Sequence, residues 1–146
     1  MLCYEQNRLV DVGRINMKIT YVIPGNPVPW KRAGHANGTF YDQQKHAKLG
    51  TGLYVQNQHE GGLYSGPLLL DITFYFPMPV SLKKKWDIMR HAHNIHRPDL
   101  SNLIKYIEDV CTGLLYDDDC LITEIKAKKI YADVGRTEFT LTEIKL

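Results

Sequence analysis

The clearest pattern of apolar and polar positions in this chain covers residues 100–114 and predicts an amphipathic helix. Apolar residues recur there every three or four positions, which places them on one helix face that can pack against a core. Asp99 occupies the expected N-cap position, and Gly113 marks the expected end of the helix. The predicted buried face comprises Leu100, Leu103, Ile104, Ile107, Val110, Cys111 and Leu114.

Four segments rich in β-branched and aromatic residues predict strands, over residues 18–23, 67–76, 120–131 and 137–144. A short Gly-containing segment, residues 133–136, separates the last two strands and predicts a β-hairpin between them. Residues 41–58 predict a second helix, and residues 82–89 predict a short basic helix with Ser81 as its N-cap.

The order of these elements mixes strands and helices without a regular βαβ repeat. It predicts an α+β fold in which helices pack on a small, mostly antiparallel or mixed sheet. We expect a single domain over residues 17–146, because a chain of 146 residues is long enough to bury one core. Residues 1–16 show no clear period and predict an N-terminal extension.

Composition indicates an ordinary globular protein with one locally basic surface. Net charge is only +2, but residues 83–105 contain six Lys or Arg against two Asp. The three cysteines lack metal-binding spacing and predict free thiols in a reducing compartment. The sequence shows neither an apolar run of membrane-spanning length nor a recognisable signal peptide, so we expect a cytoplasmic protein.

Carboxylates at two places suggest a cation site. Asp99 precedes the clearest helix, and Asp117, Asp118 and Asp119 follow it. Taken alone, Asp99 is explained by an N-cap and the acidic run by a solvated turn. Crowded carboxylates repel one another, however, and their oxygens are the ligands that Mg²⁺ prefers. Asp99, together with one or two of the three acids in that run, therefore predicts a magnesium site.

Basic residues on both sides of these carboxylates suggest a polyanionic partner. The loop over residues 27–40 carries Lys31 and Arg32, and it reads either as a mobile surface loop or as an arm that grips phosphates. Lys105, on the polar face of the helix, reads as a solvated residue or as a group that stabilises a leaving oxygen. Two of the three histidines in the basic segment could lie on one face of a strand, but no cysteine partner and no obvious third ligand is nearby, so phosphate or solvent contact is favoured over zinc. The three are His91, His93 and His96.

Three stretches of the chain, in this order and spacing, resemble the RusA family of Holliday-junction resolvases. The stretches are Ile23-Pro24-Gly25-Asn26-Pro27-Val28-Pro29, His96-Arg97-Pro98-Asp99-Leu100-Ser101-Asn102-Leu103-Ile104-Lys105 and Gly113-Leu114-Leu115-Tyr116-Asp117-Asp118-Asp119. The resemblance implies a homodimeric, Mg²⁺-dependent endonuclease, of a kind often carried by phages and prophages, that cuts four-way DNA junctions during recombination and repair. Mn²⁺ is expected to substitute for Mg²⁺.

The resemblance also assigns roles to individual residues. It implies that Asp99, Asp119 and Lys105 are catalytic, and that Asp99, Asp119 and Asp118 hold the metal. Ser101 departs from the family pattern, which has a second Asp at this position. The change removes one negative charge, so we expect either weakened cleavage or a junction-binding module without cleavage. The residues expected to contact DNA are Lys31, Arg32, Lys83, Lys84, Lys85, Arg90 and Arg97.

Overall fold

A computed structural model describes residues 18–145. The predicted extension, residues 1–16, lies outside the described residues. Within these residues the structure has six strands, three α-helices and two 3-10 turns. The strands are β1 (Tyr21–Pro24), β2 (Gly34–Ala36), β3 (Thr39–Tyr41), β4 (Leu68–Pro77), β5 (Ile122–Ala132) and β6 (Arg136–Glu143). The helices are α1 (Lys45–Gln58), α2 (Trp86–Met89) and α3 (Leu100–Cys111), and the 3-10 turns are Val80–Lys85 and Asp119–Leu121.

Four strands form the main sheet in the order β1-β6-β4-β5. β6 pairs antiparallel with both β1 and β4, whereas β4 and β5 run parallel. Helices α1 and α3 pack against each other, and α1 also contacts β1. The α+β prediction with a mostly antiparallel, mixed sheet is therefore confirmed.

The amphipathic pattern of α3 accounts for how the helix packs. Leu103, Ile107, Val110 and Cys111 are buried, and the three remaining members of the predicted apolar face pack against the core cluster while partly exposed. The core continues onto one face of β4, where buried and less buried residues alternate as expected for a strand with one covered face. This packing fixes α3, and with it the polar groups on its opposite face.

The predicted hairpin between the last two strands is wrong. β5 and β6 are consecutive in sequence, but β4 lies between them and pairs with both. The segment after Ala132 therefore crosses the end of β4 instead of making a hairpin turn. The sequence pattern identified both strands, but pairing between strands is non-local and local turn residues do not determine it.

Two other elements differ from prediction. Residues 27–40 were expected to be a loop, but β2 and β3 pair there as an antiparallel ribbon around Asn37 and Gly38. Both turn residues have positive φ, 52° and 77°, as a two-residue hairpin turn requires. The basic helix is a 3-10 turn followed by the short α2, and Pro79 rather than Ser81 is its N-cap.

Cys111 and Cys120 are free thiols, as expected. No helix between residues 18 and 145 has both the length and the apolar character needed to cross a membrane.

Candidate active site

Asp99 stands at the start of α3 with its carboxylate exposed. Its backbone is extended, and its carbonyl oxygen accepts hydrogen bonds from the N–H groups of Asn102 at 3.1 Å and Leu103 at 3.2 Å. Its side chain makes no capping hydrogen bond. The N-cap interpretation is therefore confirmed for the backbone only, and the carboxylate is left free to bind another group near the positive end of the helix.

Lys129 on β5 fixes the segment that leads into Asp99. Its Nζ donates to the carbonyl oxygens of His96 at 2.6 Å and Pro98 at 2.8 Å. The N–H of Asn94 donates in turn to the carbonyl of Lys129 at 3.0 Å. One lysine thus ties the approach to α3 onto the sheet. Sequence reasoning did not identify Lys129, because only the fold brings β5 beside this segment.

The acidic turn after α3 is held in a defined conformation. Asp118 is the N-cap of the Asp119–Leu121 turn, and its Oδ1 accepts from the N–H of Cys120 at 2.9 Å. This hydrogen bond and another shared with Asp119 hold the pKa of Asp118 below its ordinary value. Asp119 has the opposite shift: partial burial, the hydrogen bond with Asp118 and the charges of Asp118 and Asp109 raise its pKa.

Two carboxylates from the last turns of α3 add to this negative charge. Burial first, and then the charges of Asp119 and Asp109, raise the pKa of Glu108. The positive charge of Lys105 opposes the rise in pKa of both Glu108 and Asp119. We call Glu108, Asp109, Asp118 and Asp119 the acidic cluster. Sequence reasoning missed Glu108 and Asp109 as site residues, although their spacing of three and four from Lys105 places them on its side of the helix.

The oxygen atoms of the acidic cluster are donors that suit a hard divalent cation. Partial burial first, and then the hydrogen bond with Asp118 and the neighbouring carboxylate charges, raise the pKa of Asp119 there. Among residues 18–145, no three His, Cys, Asp or Glu side chains are grouped so that they could hold one ion. Mg²⁺ does not need such a cage, because it commonly binds through one or two carboxylates, waters and substrate phosphate. The acidic cluster therefore supplies oxygen donors of the kind that Mg²⁺ binds, whereas Asp99 lies at the other end of α3 from Glu108 and Asp109.

Lys105 connects α3 to the arm formed by residues 27–40. It lies six residues after Asp99, which is about 9 Å along the helix axis. Its Nζ is 3.9 Å from the centre of the Trp30 ring, a cation–π contact. The N–H of Trp30 donates to the carbonyl of Asn102 on the same helix at 2.9 Å. Trp30 is thus a further residue of this region that the sequence patterns did not single out.

The arm that carries Lys31 and Arg32 is fastened at its base. Gln44 is only 6% exposed, and its side chain donates to the carbonyl of Pro29 at 2.8 Å and accepts from the N–H of Lys31 at 2.9 Å. Lys48 on α1 forms ion pairs with Asp42 at 2.9 Å and Asp109 at 3.4 Å. The arm therefore has a fixed position beside α3.

The other basic residues expected to bind DNA lie on a different part of the chain. Lys83, Lys84 and Lys85 are exposed on the first 3-10 turn, and Arg90 and Arg97 are exposed in the segment that precedes α3. The guanidinium of Arg90 lies 5.2 Å from the centre of the Trp86 ring. Exposure makes all five side chains available to a polyanion, and their role in DNA binding stays a prediction.

Comparison with known proteins defines the class of this protein. The model of the family described as "RusA: Endodeoxyribonuclease RusA" matches residues 24–142, a span that includes α3 and the acidic cluster. The chain is thus an endodeoxyribonuclease by class. Within that class, it belongs to the RusA family.

Two relatives support this assignment. The chain is 26% identical over 137 residues to the uncharacterized protein YqaN of Bacillus subtilis (strain 168), which covers 86% of this chain and 96% of that protein. It is 37% identical over 79 residues to the crossover junction endodeoxyribonuclease rusA of Lactococcus phage r1t. The second alignment covers 53% of this chain and 56% of the phage protein.

Proposed function

We propose that this protein is a structure-selective endonuclease that resolves four-way DNA junctions by Mg²⁺-dependent phosphodiester hydrolysis. The observation that carries the proposal is the family match over residues 24–142, which includes both acidic motifs. The likeness to a phage protein named as a crossover junction endodeoxyribonuclease supports branched DNA as the substrate. Two matching nicks in one junction are best made by a twofold-symmetric enzyme, so a homodimer belongs to the proposal.

In this proposal Asp99 and Asp119 hold the metal, and Asp118 supports Asp119 through their shared hydrogen bond. When bound, Mg²⁺ polarises a phosphoryl oxygen and supplies hydroxide near neutral pH. Lys105, beside the acidic cluster, faces the negative charge that develops on the leaving oxygen. The exposed basic residues hold the flanking phosphates, so binding is expected to weaken steeply as salt rises.

Ser101 motivates a second candidate function, a junction-binding module without cleavage. Ser101 is exposed in the first turn of α3, two residues after Asp99. A hydroxyl is a weaker cation ligand than a carboxylate, so the site has lower expected metal affinity than one with Asp at this position. DNA binding by the exposed basic residues does not depend on a metal ligand at position 101.

A cleavage assay on a synthetic four-way junction separates the two candidates. The nuclease proposal expects nicks by the wild type in Mg²⁺ or Mn²⁺, and faster cutting at low metal concentration by Ser101→Asp. Asn102→Asp is the matched control, because it adds the same charge one position further along the helix. The binding module is favoured if the wild type binds the junction but neither protein nicks it at any metal concentration.

A further inference from the structure

The ribbon formed by β2 and β3 presents aromatic side chains to solvent. Phe40 is 73% exposed and Tyr41 is 52% exposed. The rings of His35 and Phe40, which are opposite each other in the ribbon, lie 4.8 Å apart between centroids and are tilted by 58°. Packing in the core does not explain the aromatic ring at position 40, because most of the Phe40 surface remains in water.

A shallow hollow of about 250 Å³ lies between this ribbon and the body of the domain. Three aromatic residues, Trp30, Phe40 and Tyr41, contribute to its lining. Tyr41 packs so closely over Gly34 that a Cβ at position 34 would lie 2.5 Å from the Tyr41 ring. Glycine at this position therefore keeps the Tyr41 ring against the ribbon. The remaining lining residues, Lys31, Ala33, Asp42 and Lys48, include two cations.

The hollow has a fixed position relative to the candidate active site. Trp30 contacts α3 through both its backbone N–H and its ring, and the ring contact is to Lys105. Gln44 joins the two ends of the arm, and Lys48 joins Asp42 to Asp109 of the acidic cluster. A ligand held in the hollow would consequently be held at a set distance from the acidic cluster.

We propose that this hollow takes an unpaired nucleobase from the branch point of the DNA, stacked on Phe40. The inference rests on the proposed function. Exposed aromatic rings beside cations are the arrangement by which proteins hold unpaired bases, since every base offers a stacking face and every nucleotide a phosphate. Lys31 and Arg32, exposed at the base of the ribbon, bind the phosphates next to that base. The stacked base sets which backbone phosphate reaches the acidic cluster.

The test compares Phe40→Leu with Phe40→Trp in the full chain. Leucine keeps the apolar character of the side chain but removes the aromatic face, whereas tryptophan keeps a stacking face. Because Phe40 is largely exposed, both variants are expected to melt within a few degrees of the wild type. Phe40→Leu is expected to weaken four-way junction binding roughly 5- to 150-fold, the range for loss of one stacked base, and to leave duplex binding within about twofold.

A second readout locates the base directly. A junction with 5-iodouracil at the branch point is irradiated in complex with the protein, and the cross-linked peptide is identified by mass spectrometry. A cross-link to Phe40, Tyr41 or Trp30 that is lost when the iodouracil is moved into a duplex arm supports the inference. Cross-links elsewhere, or unchanged junction affinity in Phe40→Leu, overturn it.

Two outcomes separate this inference from the proposed function. If the wild type binds a four-way junction no better than a duplex of equal length, the proposed function fails, whatever Phe40 does. If the wild type selects the junction but Phe40→Leu selects it equally well, only the stacking inference fails. Sedimentation of the wild type and Phe40→Leu completes the test. A smaller species in Phe40→Leu would mean that the ribbon contacts a second copy of the chain, and this result overturns the inference.

Discussion

The Nζ of Lys105 lies 3.9 Å from the centre of the Trp30 ring, and this contact joins the helix that begins at Asp99 to the arm that precedes α1. The charge of the same lysine opposes the rise in the pKa of both Asp119 and Glu108. Its charge therefore acts on the acidic cluster while its side chain is held against an aromatic ring. A lysine held by this ring contact is more restrained than a solvated helix residue.

Lys105→Met is expected to reduce the rate of junction cleavage by about 100-fold, because one preorganised positive group is lost from the site. Methionine keeps an unbranched side chain that can still pack on Trp30, so junction affinity is expected to change by less than about threefold. Single-turnover cleavage and a binding titration measure the two effects separately. Lys105→Arg retains the charge and is the matched control. An equal loss in binding and cleavage by Lys105→Met would assign the lysine to DNA binding alone.

Asp119→Asn is expected to stabilise the metal-free protein at pH 7. Because the folded-state pKa of Asp119 is raised, the folded chain loses this proton less readily than the unfolded chain. Stability from this group therefore falls as pH rises from the ordinary pKa of the carboxyl through its higher folded value. The gain at pH 7 is expected to stay below about 1 kcal/mol, since Asp119 is partly solvated.

Thermal melts with and without Mg²⁺, at pH 4 and pH 7, check this prediction. Mg²⁺ is expected to raise the melting temperature of the wild type at pH 7 and to have little effect on Asp119→Asn. Asp117→Asn removes a neighbouring exposed carboxylate and serves as the control. A wild type that melts at the same temperature with and without Mg²⁺, at concentrations that support cutting, would contradict a metal role for Asp119.

Gln44→Ala is expected to destabilise the protein by about 1–3 kcal/mol, because the carbonyl of Pro29 and the N–H of Lys31 lose their buried partner. Loss of the same clamp loosens the arm, so junction affinity is also expected to fall. Gln43→Ala is the control: the Gln43 side chain is exposed and donates to the carbonyl of Arg32. Denaturant unfolding and junction titration together test the prediction, and equal effects of the two substitutions would show that Gln44 has no special role.

Lys129→Met is expected to slow cleavage about tenfold while leaving the salt dependence of binding unchanged. The substitution removes the donors to the carbonyls of His96 and Pro98, so Asp99 is positioned less firmly. Lys128→Met, from the exposed neighbour on β5, removes an equal charge and is the control. If both substitutions reduce the salt slope of binding and neither changes the cleavage rate, Lys129 contacts DNA instead of positioning Asp99.

Local patterns predicted most of the elements of this fold. The position of α3 followed from its apolar face, because seven apolar residues at helical spacing leave little choice of conformation. The Asn37-Gly38 turn was also present in the sequence as a hairpin signal, but the glycines and prolines around it resembled a loop. The pairing of β4 with both β5 and β6 was not predictable locally, because it depends on packing across the whole sheet.

The sequence indicated the acidic motifs but not what surrounds them. Asp118 and Asp119 stood out because crowded carboxylates repel one another and because the acidic run follows the helix that Asp99 precedes. The contribution of Glu108 depends on how closely the acidic turn approaches the last turns of α3. The same limit applies to Lys129 and Gln44, whose partners are backbone carbonyl and N–H groups distant in sequence. Residue type does not reveal such contacts.

Cleavage of an end-labelled four-way junction by the wild type, Asp99→Asn and Asp119→Asn in Mg²⁺ tests the proposed function most directly. Denaturing gels should show paired nicks at matching positions on two opposed strands for the wild type. Each variant should cut at least about 100-fold more slowly while binding the junction with similar affinity. Cutting by either variant at the wild-type rate would contradict the proposed roles of Asp99 and Asp119 in holding the metal.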